Sequence, residues 1–223
     1  MVNDDVWVVI PVFNEAKRIN EVLAEVKKYV KVVVVINDGS TDNTIEMISK
    51  HNVFRIECQI NEGKASALLR GCEYAKAQGA KHIIMMDGDG QHDPEKLPEF
   101  IQEVTCGSYD IIFGSRSVKD NMPLTRHVGN IIINLAFKIL YGKTLTDVIS
   151  GYKAFTIEAF DIIKWDPSKR YLVESDIFIN AIKAKLRWRE IMIPCIYNNK
   201  FTGIKRLDGF KILWNVIKRR FYG

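Results

Sequence analysis

The sequence predicts an α/β fold built on a mostly parallel β-sheet that is flanked by helices. Short uncharged runs such as Val6–Ile10, Val32–Ile36 and Ile83–Met86 alternate with stretches whose apolar residues recur at helical spacing. Runs that are apolar throughout are typical of strands buried on both faces, as in parallel sheets. A chain of 223 residues is long enough for one such domain and too short for two with a linker. We therefore expect a single domain.

The alternation of strands and helices is regular up to residue 116 and then breaks. The predicted strands cover residues 6–10, 32–36, 54–56, 83–86, 110–116 and 189–196. The predicted helices cover residues 17–29, 43–50, 65–78, 94–104, 131–141, 171–185 and 208–221. A connecting stretch through Pro123 and Arg126 is expected between the fifth strand and the apolar helix at 131–141.

Carboxylates follow directly on the apolar run that ends at Met86. If the backbone stays extended, Asp87, Asp89 and Gln91 point to the same side, and the glycines between them let a ligand approach closely. Two carboxylates at this spacing repel each other unless a cation lies between them. Oxygen ligands suit Mg²⁺ or Mn²⁺. This stretch is thus compatible with a divalent-cation site, but a short Asp-x-Asp motif alone is more often a plain polar turn.

Polar clusters end three of the predicted strands, at residues 11–15, 37–42 and 87–93. In open parallel sheets, ligands bind in the crevice at the carboxyl ends of the strands, so three such clusters indicate one site. A phosphate loop is excluded, because Gly63-Lys64 lacks the glycine five residues earlier and the Ser or Thr that follows the lysine. No G-x-G-x-x-G follows the first strand either.

Six motifs, in order and spacing, resemble those of the inverting family 2 glycosyltransferases of GT-A fold. Within that family the chain looks most like the dolichol-phosphate mannose or glucose synthases. The motifs are Pro11-Val12-Phe13-Asn14-Glu15, Asn37-Asp38-Gly39-Ser40-Thr41-Asp42, Asn61-Glu62-Gly63-Lys64, Asp87-Gly88-Asp89-Gly90-Gln91-His92-Asp93-Pro94, Gly114-Ser115-Arg116 and Ser150-Gly151-Tyr152-Lys153. The resemblance implies a GT-A-type (Rossmann-like) mixed, mostly parallel sheet in one domain.

The resemblance also implies roles for individual residues. Asp87, Asp89 and Gln91 match the metal site, in which Mg²⁺ or Mn²⁺ would bridge the diphosphate of the donor. Arg116, Arg126 and Asn130 match positions that hold the phosphate of the acceptor, and Asp89, Arg116 and Arg126 are the residues expected to matter most for catalysis. The positions expected to line the nucleotide-sugar pocket are Pro11, Phe13, Glu15, Asn37, Asp38, Lys64, Asp87 and Gly88. The family commonly has an aspartate where this chain has Asn37.

The implied activity is transfer of a hexose from a UDP- or GDP-sugar to a polyprenyl or dolichyl phosphate. Residues 1–116 would bind the nucleotide sugar, 117–200 would form the acceptor side, and 201–223 would be a basic amphipathic segment. A phosphate acceptor is already anionic near pH 7 and needs no strong base, whereas a saccharide or protein hydroxyl would need one, such as Glu174 or Asp176. That second acceptor class stays open, as does a non-catalytic membrane-associated module.

The basic character of the chain lies at its C-terminal end. The net charge is +5, and residues 200–223 carry seven basic residues against Asp208 alone. Phe210, Leu213, Trp214, Ile217 and Phe221 recur at helical spacing, so this helix either lies on a membrane or packs on the domain. The N-terminus shows no signal peptide, and we expect a peripheral protein on the cytoplasmic face of a membrane. The apolar stripe argues against a nucleic-acid partner.

Overall fold

The computed structural model describes residues 4–116, 124–168, 172–194, 196 and 206–222. The side chains of residues 124–127 and 206–208 lie outside that description. Seven strands form one sheet in the order β3-β2-β1-β4-β6-β5-β7. The strands are β1 Val6–Val12, β2 Val32–Asp38, β3 Phe54–Cys58, β4 His82–Met85, β5 Ile111–Arg116, β6 Lys153–Thr156 and β7 Trp188–Ile193.

Helices cover both faces of the sheet. They are α1 Ile19–Val26, α2 Thr44–Ser49, α3 Lys64–Ala77, α4 Leu97–Thr105, α5 Leu124–Tyr141, α6 Ile157–Ile163, α7 Val173–Lys183 and α8 Arg206–Phe221. Successive residues of β1 alternate between the two apolar layers: Val8 belongs to the layer that includes Leu23 and Phe100. Val9 belongs to the layer on the other face, which includes Leu68 and Phe178. This two-sided burial is why β1 is apolar at every position.

The predicted α/β class and the mixed, mostly parallel sheet are confirmed. Strands β1, β2, β3 and β4 are parallel, and β5 pairs in parallel with β7. The exception is β6, which lies antiparallel between β4 and β5. The alternation of elements did not predict β6 or α6, and no strand or helix was assigned to their residues from the sequence.

The expected connection through Arg126 is wrong, because α5 begins at Leu124 and Arg126 lies in its first turn. Helix α5 carries apolar residues on both its buried and its exposed sides. Ile133 and Phe137 are buried, whereas Ile131, Leu135 and Ile139 are exposed. Helix α5 packs against α8, where Tyr141 Oη donates a hydrogen bond to the Val216 carbonyl at 3.1 Å. Among the described residues, no helix is both long and apolar enough to cross a membrane.

Candidate active site

The loops after β1 and β2 are joined into one wall at the carboxyl edge of the sheet. The registers place Val12 beside Asn37, so the two loops leave the sheet together. The Asn14 amide donates to Ser40 Oγ at 3.0 Å, and the Thr41 amide donates to Asn14 Oδ1 at 2.8 Å. Asn14 adopts the left-handed conformation, with φ 57°, that asparagine tolerates better than most residues. The polar residues of these motifs therefore fix the wall of the crevice.

Asn37 and Asp38 are buried and bonded to backbone amides. Asp38 accepts from the Glu62 amide at 2.9 Å and the Gly63 amide at 2.7 Å, which fixes the entry into α3. Asn37 Oδ1 accepts from the Ser40 amide at 3.1 Å. The side chain of Phe13, by contrast, is 44% exposed. Of these three predicted nucleotide-pocket residues, only Phe13 exposes its side chain to solvent. Asn37 and Asp38 instead fix the conformation of the loops through their hydrogen bonds to backbone amides.

Lys64, at the start of α3, lies between two carboxylates. Its Nζ is 2.7 Å from Asp87 Oδ1 and 3.1 Å from Glu174 Oε1. Burial opposes the charge, but Asp87 and Glu174 raise the pKa of Lys64 well above its ordinary value. Burial would likewise raise the pKa of Asp87, yet the Lys64 ammonium outweighs it and lowers that pKa to about 2. Both groups are therefore charged at neutral pH.

The loop that leads into β6 lies directly on this ion pair. A methyl group built on Gly151 would lie 2.8 Å from Lys64 Nζ and 2.9 Å from Asp87 Oδ2, so a larger residue here would displace the Lys64–Asp87 pair. Lys153 follows, fully buried, and its ammonium donates to the Ser150 carbonyl. Burial lowers the pKa of Lys153 to about 8. The family resemblance included the motif Ser150–Lys153, but no role was predicted for Gly151 or Lys153. A lysine inside an apolar run was the signal that could have identified Lys153.

The Asp87–Gln91 stretch is a turn rather than the extended segment on which the same-side prediction depended. Gly90 has φ 74°, and the Gln91 amide donates to Asp89 Oδ1 at 3.0 Å. Gln91 Nε2 donates to Asp89 Oδ2 at 2.6 Å, so the carboxylate and the side-chain amide are still brought together. Gly88 is packed against Val12, where a Cβ would lie 2.6 Å from Val12 Cγ1.

This corner of the site has the chemistry that a hard divalent cation requires. Asp87 and Asp89 supply carboxylate oxygens and Gln91 an amide oxygen, which are the ligand types that Mg²⁺ and Mn²⁺ prefer. Burial and then the neighbouring Asp89 raise the pKa of Glu15, so Asp89 adds to the negative potential on this side of the site. No three His, Cys, Asp or Glu side chains of the described residues are grouped as a metal cage. Asp87, Asp89 and Gln91 thus fit a cation site in which solvent or substrate would supply the remaining ligands.

Of the predicted acceptor-side residues, Arg116 lies at the end of β5, and Arg126 and Asn130 lie on α5. Arg116 Nε donates to Asp147 Oδ2 at 2.5 Å and its Nη2 donates to Asp147 Oδ1 at 3.1 Å. Asn130 Nδ2 donates to Asp147 Oδ1 at 3.2 Å. Arg126 lies four residues before Asn130 on α5, and its side chain is outside the described part. Arg116 and Asn130 are therefore brought together through Asp147.

The sheet, with carboxylates at the carboxyl ends of its strands, defines the class of the protein as a glycosyltransferase of GT-A fold. Residues 7–163 match the model of Glycosyl transferase family 2, and the chain belongs to that family.

Two relatives align with almost the whole chain. A protein of Methanocaldococcus jannaschii, MJ1222, of uncharacterized function, is 37% identical over 98% of this chain and 93% of its own length. The UDP-N-acetylglucosamine–dolichyl-phosphate N-acetylglucosaminyltransferase of Methanococcus voltae is 30% identical over 95% of this chain and 94% of its own.

A solved structure shares the fold. The glucosyl-3-phosphoglycerate synthase of Mycobacterium tuberculosis, in complex with Mn²⁺, UDP-glucose and phosphoglyceric acid, superposes with a TM-score of 0.74. The match covers 96% of this chain and 79% of that chain at 16% identity. The predicted family resemblance and fold are thus confirmed.

Proposed function

We propose that this protein transfers a sugar from a UDP- or GDP-sugar to a polyprenyl or dolichyl phosphate, with inversion at the anomeric carbon. The observation that carries the proposal is the position of Arg116 at the end of β5, on the sheet that also presents Asp87 and Asp89. A guanidinium is suited to a phosphate, and the carboxylates are suited to a cation on a diphosphate. The M. voltae relative, named as acting on dolichyl phosphate, supports this acceptor class.

The donor half would use the wall formed by the β1 and β2 loops, with Phe13 beside the base and Lys64 near the phosphates. Asp89 and Gln91, with Asp87, would hold Mg²⁺ or Mn²⁺, which when bound stabilises the negative charge that develops on the leaving diphosphate. The M. tuberculosis structure of the same fold contains Mn²⁺ with UDP-glucose. Lys64 adds a fixed positive charge on the same side.

The acceptor half needs positioning rather than a strong base. An oxygen of the acceptor phosphate attacks the anomeric carbon as the bond from that carbon to the diphosphate oxygen breaks, and the bonding electrons leave with the nucleoside diphosphate. Because that phosphate oxygen is already anionic at neutral pH, no proton has to be removed. Glu174, the candidate base for a hydroxyl acceptor, is instead paired with Lys64 at 3.1 Å. This pairing favours the phosphate acceptor.

An apolar surface near the acceptor residues suits the lipid part of the substrate. A groove of about 370 Å³ runs along α5 and is lined in part by Ile131, Leu135, Leu145 and Thr146. Thr146 immediately precedes Asp147, so the groove starts close to Arg116. Phe210 and Trp214 on α8, the helix that packs against α5, are also exposed. We infer that this surface lies on the cytoplasmic face of a membrane, where isoprenoid chains are held.

The test is transfer of labelled sugar from a panel of UDP- and GDP-sugars to dolichyl phosphate, with Mg²⁺ or Mn²⁺ and with chelator. We expect label in the lipid phase from one donor, lost with chelator and restored by added metal. A parallel panel offers saccharide and peptide hydroxyl acceptors. Transfer only to a hydroxyl acceptor would overturn the lipid assignment while keeping the donor site. No turnover of any donor would favour a non-catalytic module.

A further inference from the structure

Asp147 is a buried carboxylate surrounded by hydrogen-bond donors from two elements. It is 1% exposed, and it accepts from Arg116 Nε, Arg116 Nη2 and the Arg116 amide, the last at 3.4 Å. Asn130 of α5 adds a further donor at 3.2 Å. A buried carboxylate is retained when its charge is matched by such donors. Because these donors converge on one carboxylate, the side chains of Asp147, Arg116 and Asn130 are held in one arrangement relative to each other.

We propose that Asp147, supported by Asn130, is a positioning residue that aims the Arg116 guanidinium at the phosphate of the acceptor. The inference rests on the proposed function and extends it to two residues that need not touch the substrate. A guanidinium has five N–H donors in one plane. A carboxylate that holds Nε and Nη2 therefore fixes the direction of the remaining N–H groups, which is what recognition of a phosphate in a defined orientation requires.

The contacts of Asn130 support a role behind Asp147 rather than on the phosphate. Its Nδ2 donates to Asp147 Oδ1 and to the Thr146 carbonyl, at 3.2 and 3.4 Å. Both of these atoms accept only, so the amide must turn its NH₂ toward them. Its Oδ1 is buried and has no hydrogen-bond partner within the described residues. A carbonyl oxygen does not bind an anionic phosphate, and the donors of Asn130 are directed to Asp147.

The segment that carries Asp147 is also held from its other side, which supplies a control. Glu190 of β7 accepts from the Thr146 amide at 2.9 Å and from Ser115 Oγ at 2.5 Å. Glu190 therefore braces the same segment, and its hydrogen-bond donors among the described residues are Thr146 and Ser115. Because Glu190 also lines the groove along α5, the control changes its partner Ser115 instead. A variant that only loosens the segment should behave like Ser115→Ala, whereas a variant that misdirects Arg116 should not.

Charge alone predicts the opposite result to positioning. The carboxylate of Asp147 cancels the positive charge of Arg116, so removing it would strengthen attraction to a phosphate if net charge governed binding. If Asp147 acts by orientation, Asp147→Asn weakens acceptor binding although it makes the site more positive. The sign of the change in acceptor affinity thus separates the two explanations.

The experiment is a double-mutant cycle with Asp147→Asn, Arg116→Ala and both together, with Ser115→Ala as the matched control. We expect Asp147→Asn to lower kcat/KM for dolichyl phosphate about 10-fold or more, with the donor KM unchanged. In the Arg116→Ala background the same change should have an effect of less than about threefold. Ser115→Ala, which removes a donor to Glu190, should lower the melting temperature while leaving the acceptor KM within about twofold.

A binding measurement gives a readout independent of turnover. Calorimetric titration with farnesyl phosphate should show weaker binding for Asp147→Asn than for the wild type. Tighter binding, additive effects in the cycle, or an equal rise in the donor KM would overturn the inference. Failure of the proposed function shows in the wild type, which would then not transfer sugar to dolichyl phosphate or bind farnesyl phosphate. Failure of the inference shows in the variants alone.

Discussion

The Lys64 ammonium lies 3.1 Å from the Glu174 carboxylate, a contact that joins α3 to α7 across 110 residues of sequence. The same ammonium is 2.7 Å from Asp87. Glu174 is thus engaged in holding Lys64 in place beside the acidic end of β4. Under the proposed function, Glu174 would therefore support donor binding rather than accept a proton.

Replacing Glu174 with glutamine should therefore raise the donor KM more than it lowers kcat. Removal of a general base typically costs 10²- to 10⁴-fold in rate, and we expect a loss of kcat below about 10-fold. The pH profile of kcat between pH 5.5 and 8 should keep its shape. Steady-state kinetics with varied donor measure both quantities.

The matched control is Glu158→Gln, which removes the charge of an exposed glutamate in the first turn of α6. It should leave both constants unchanged. A loss of kcat above 100-fold in Glu174→Gln, together with a changed pH profile, would instead identify Glu174 as a base and favour a hydroxyl acceptor.

Asp89 should be required for cation binding, whereas the nearby Asp93 should not. Asp89→Asn removes the charged oxygen beside Gln91, and we expect transfer to fall by about 100-fold or more, the scale of losing one group that stabilises developing charge. Asp93 caps the short turn at residues 94–96, accepting from the Glu95 amide at 2.9 Å.

Asp93→Asn removes an equal charge and should cost no more than about 1 kcal/mol of stability. Mn²⁺ binding followed by electron paramagnetic resonance, in the presence of UDP, should be lost in Asp89→Asn and kept in Asp93→Asn. Equal Mn²⁺ affinity in the two variants would remove Asp89 from the cation site.

Strands β1, β2, β4 and β5 could be predicted from sequence because each contains an apolar run that the sheet buries on both faces. β6 could not, since its four residues include Lys153, and its antiparallel place depends on β4 and β5 lying on either side. The start of α5 was missed because Thr125, Arg126 and His127 interrupt the apolar pattern and Gly129 follows. In both cases tertiary contacts override the local signal.

The motifs located the candidate site, but not what each polar residue does in it. Asp38 was expected to contact the nucleotide, yet its oxygens accept two backbone amides of the turn before α3. Asp147 could equally have been a turn cap by sequence, and only its distance to Arg116 connects it to the site. Such partners lie 24 to 31 residues away, beyond the reach of periodicity or spacing.

Lys153 should make stability depend on pH in the alkaline range. Burial lowers its pKa from the ordinary 10.5 to about 8, so the unfolded chain binds this proton more tightly than the folded one. The penalty is therefore present in full below pH 8 and is relieved as pH rises toward 10.5. At about 1.4 kcal/mol per pKa unit, relief of up to ~3 kcal/mol is the upper bound.

Urea unfolding of the wild type and of Lys153→Met at pH 7, 8, 9 and 10 measures this effect. Because the other titrating groups are common to both proteins, the difference in the free energy of unfolding isolates Lys153. That difference should shift in favour of the wild type as pH rises. A difference that stays constant over this range would mean that Lys153 titrates normally.

The exposed aromatic residues of α8 should bind membrane surfaces. Phe210 and Trp214 are 72% and 66% exposed, whereas Ile212 and Val216 form the side that packs on the domain. Burying a large apolar side chain stabilises by about 1.5–3 kcal/mol. Phe210→Ala with Trp214→Ala should therefore lower partitioning onto vesicles containing anionic lipid by about 10-fold or more, without a change in melting temperature.

Vesicle sedimentation at low and high salt measures the partitioning. Each basic residue near an anionic surface adds about 1 kcal/mol, so binding of the wild type should also weaken as salt rises. The control is Phe54→Ala, which removes a 44% exposed ring from β3, an edge strand of the sheet. If the α8 variant sediments with vesicles as well as Phe54→Ala does, α8 is not the membrane-binding element. Turnover measures the consequence of weaker vesicle binding. If the α8 variant turns over farnesyl phosphate like the wild type but loses turnover of dolichyl phosphate in vesicles, the helix serves to bring the enzyme to its lipid acceptor.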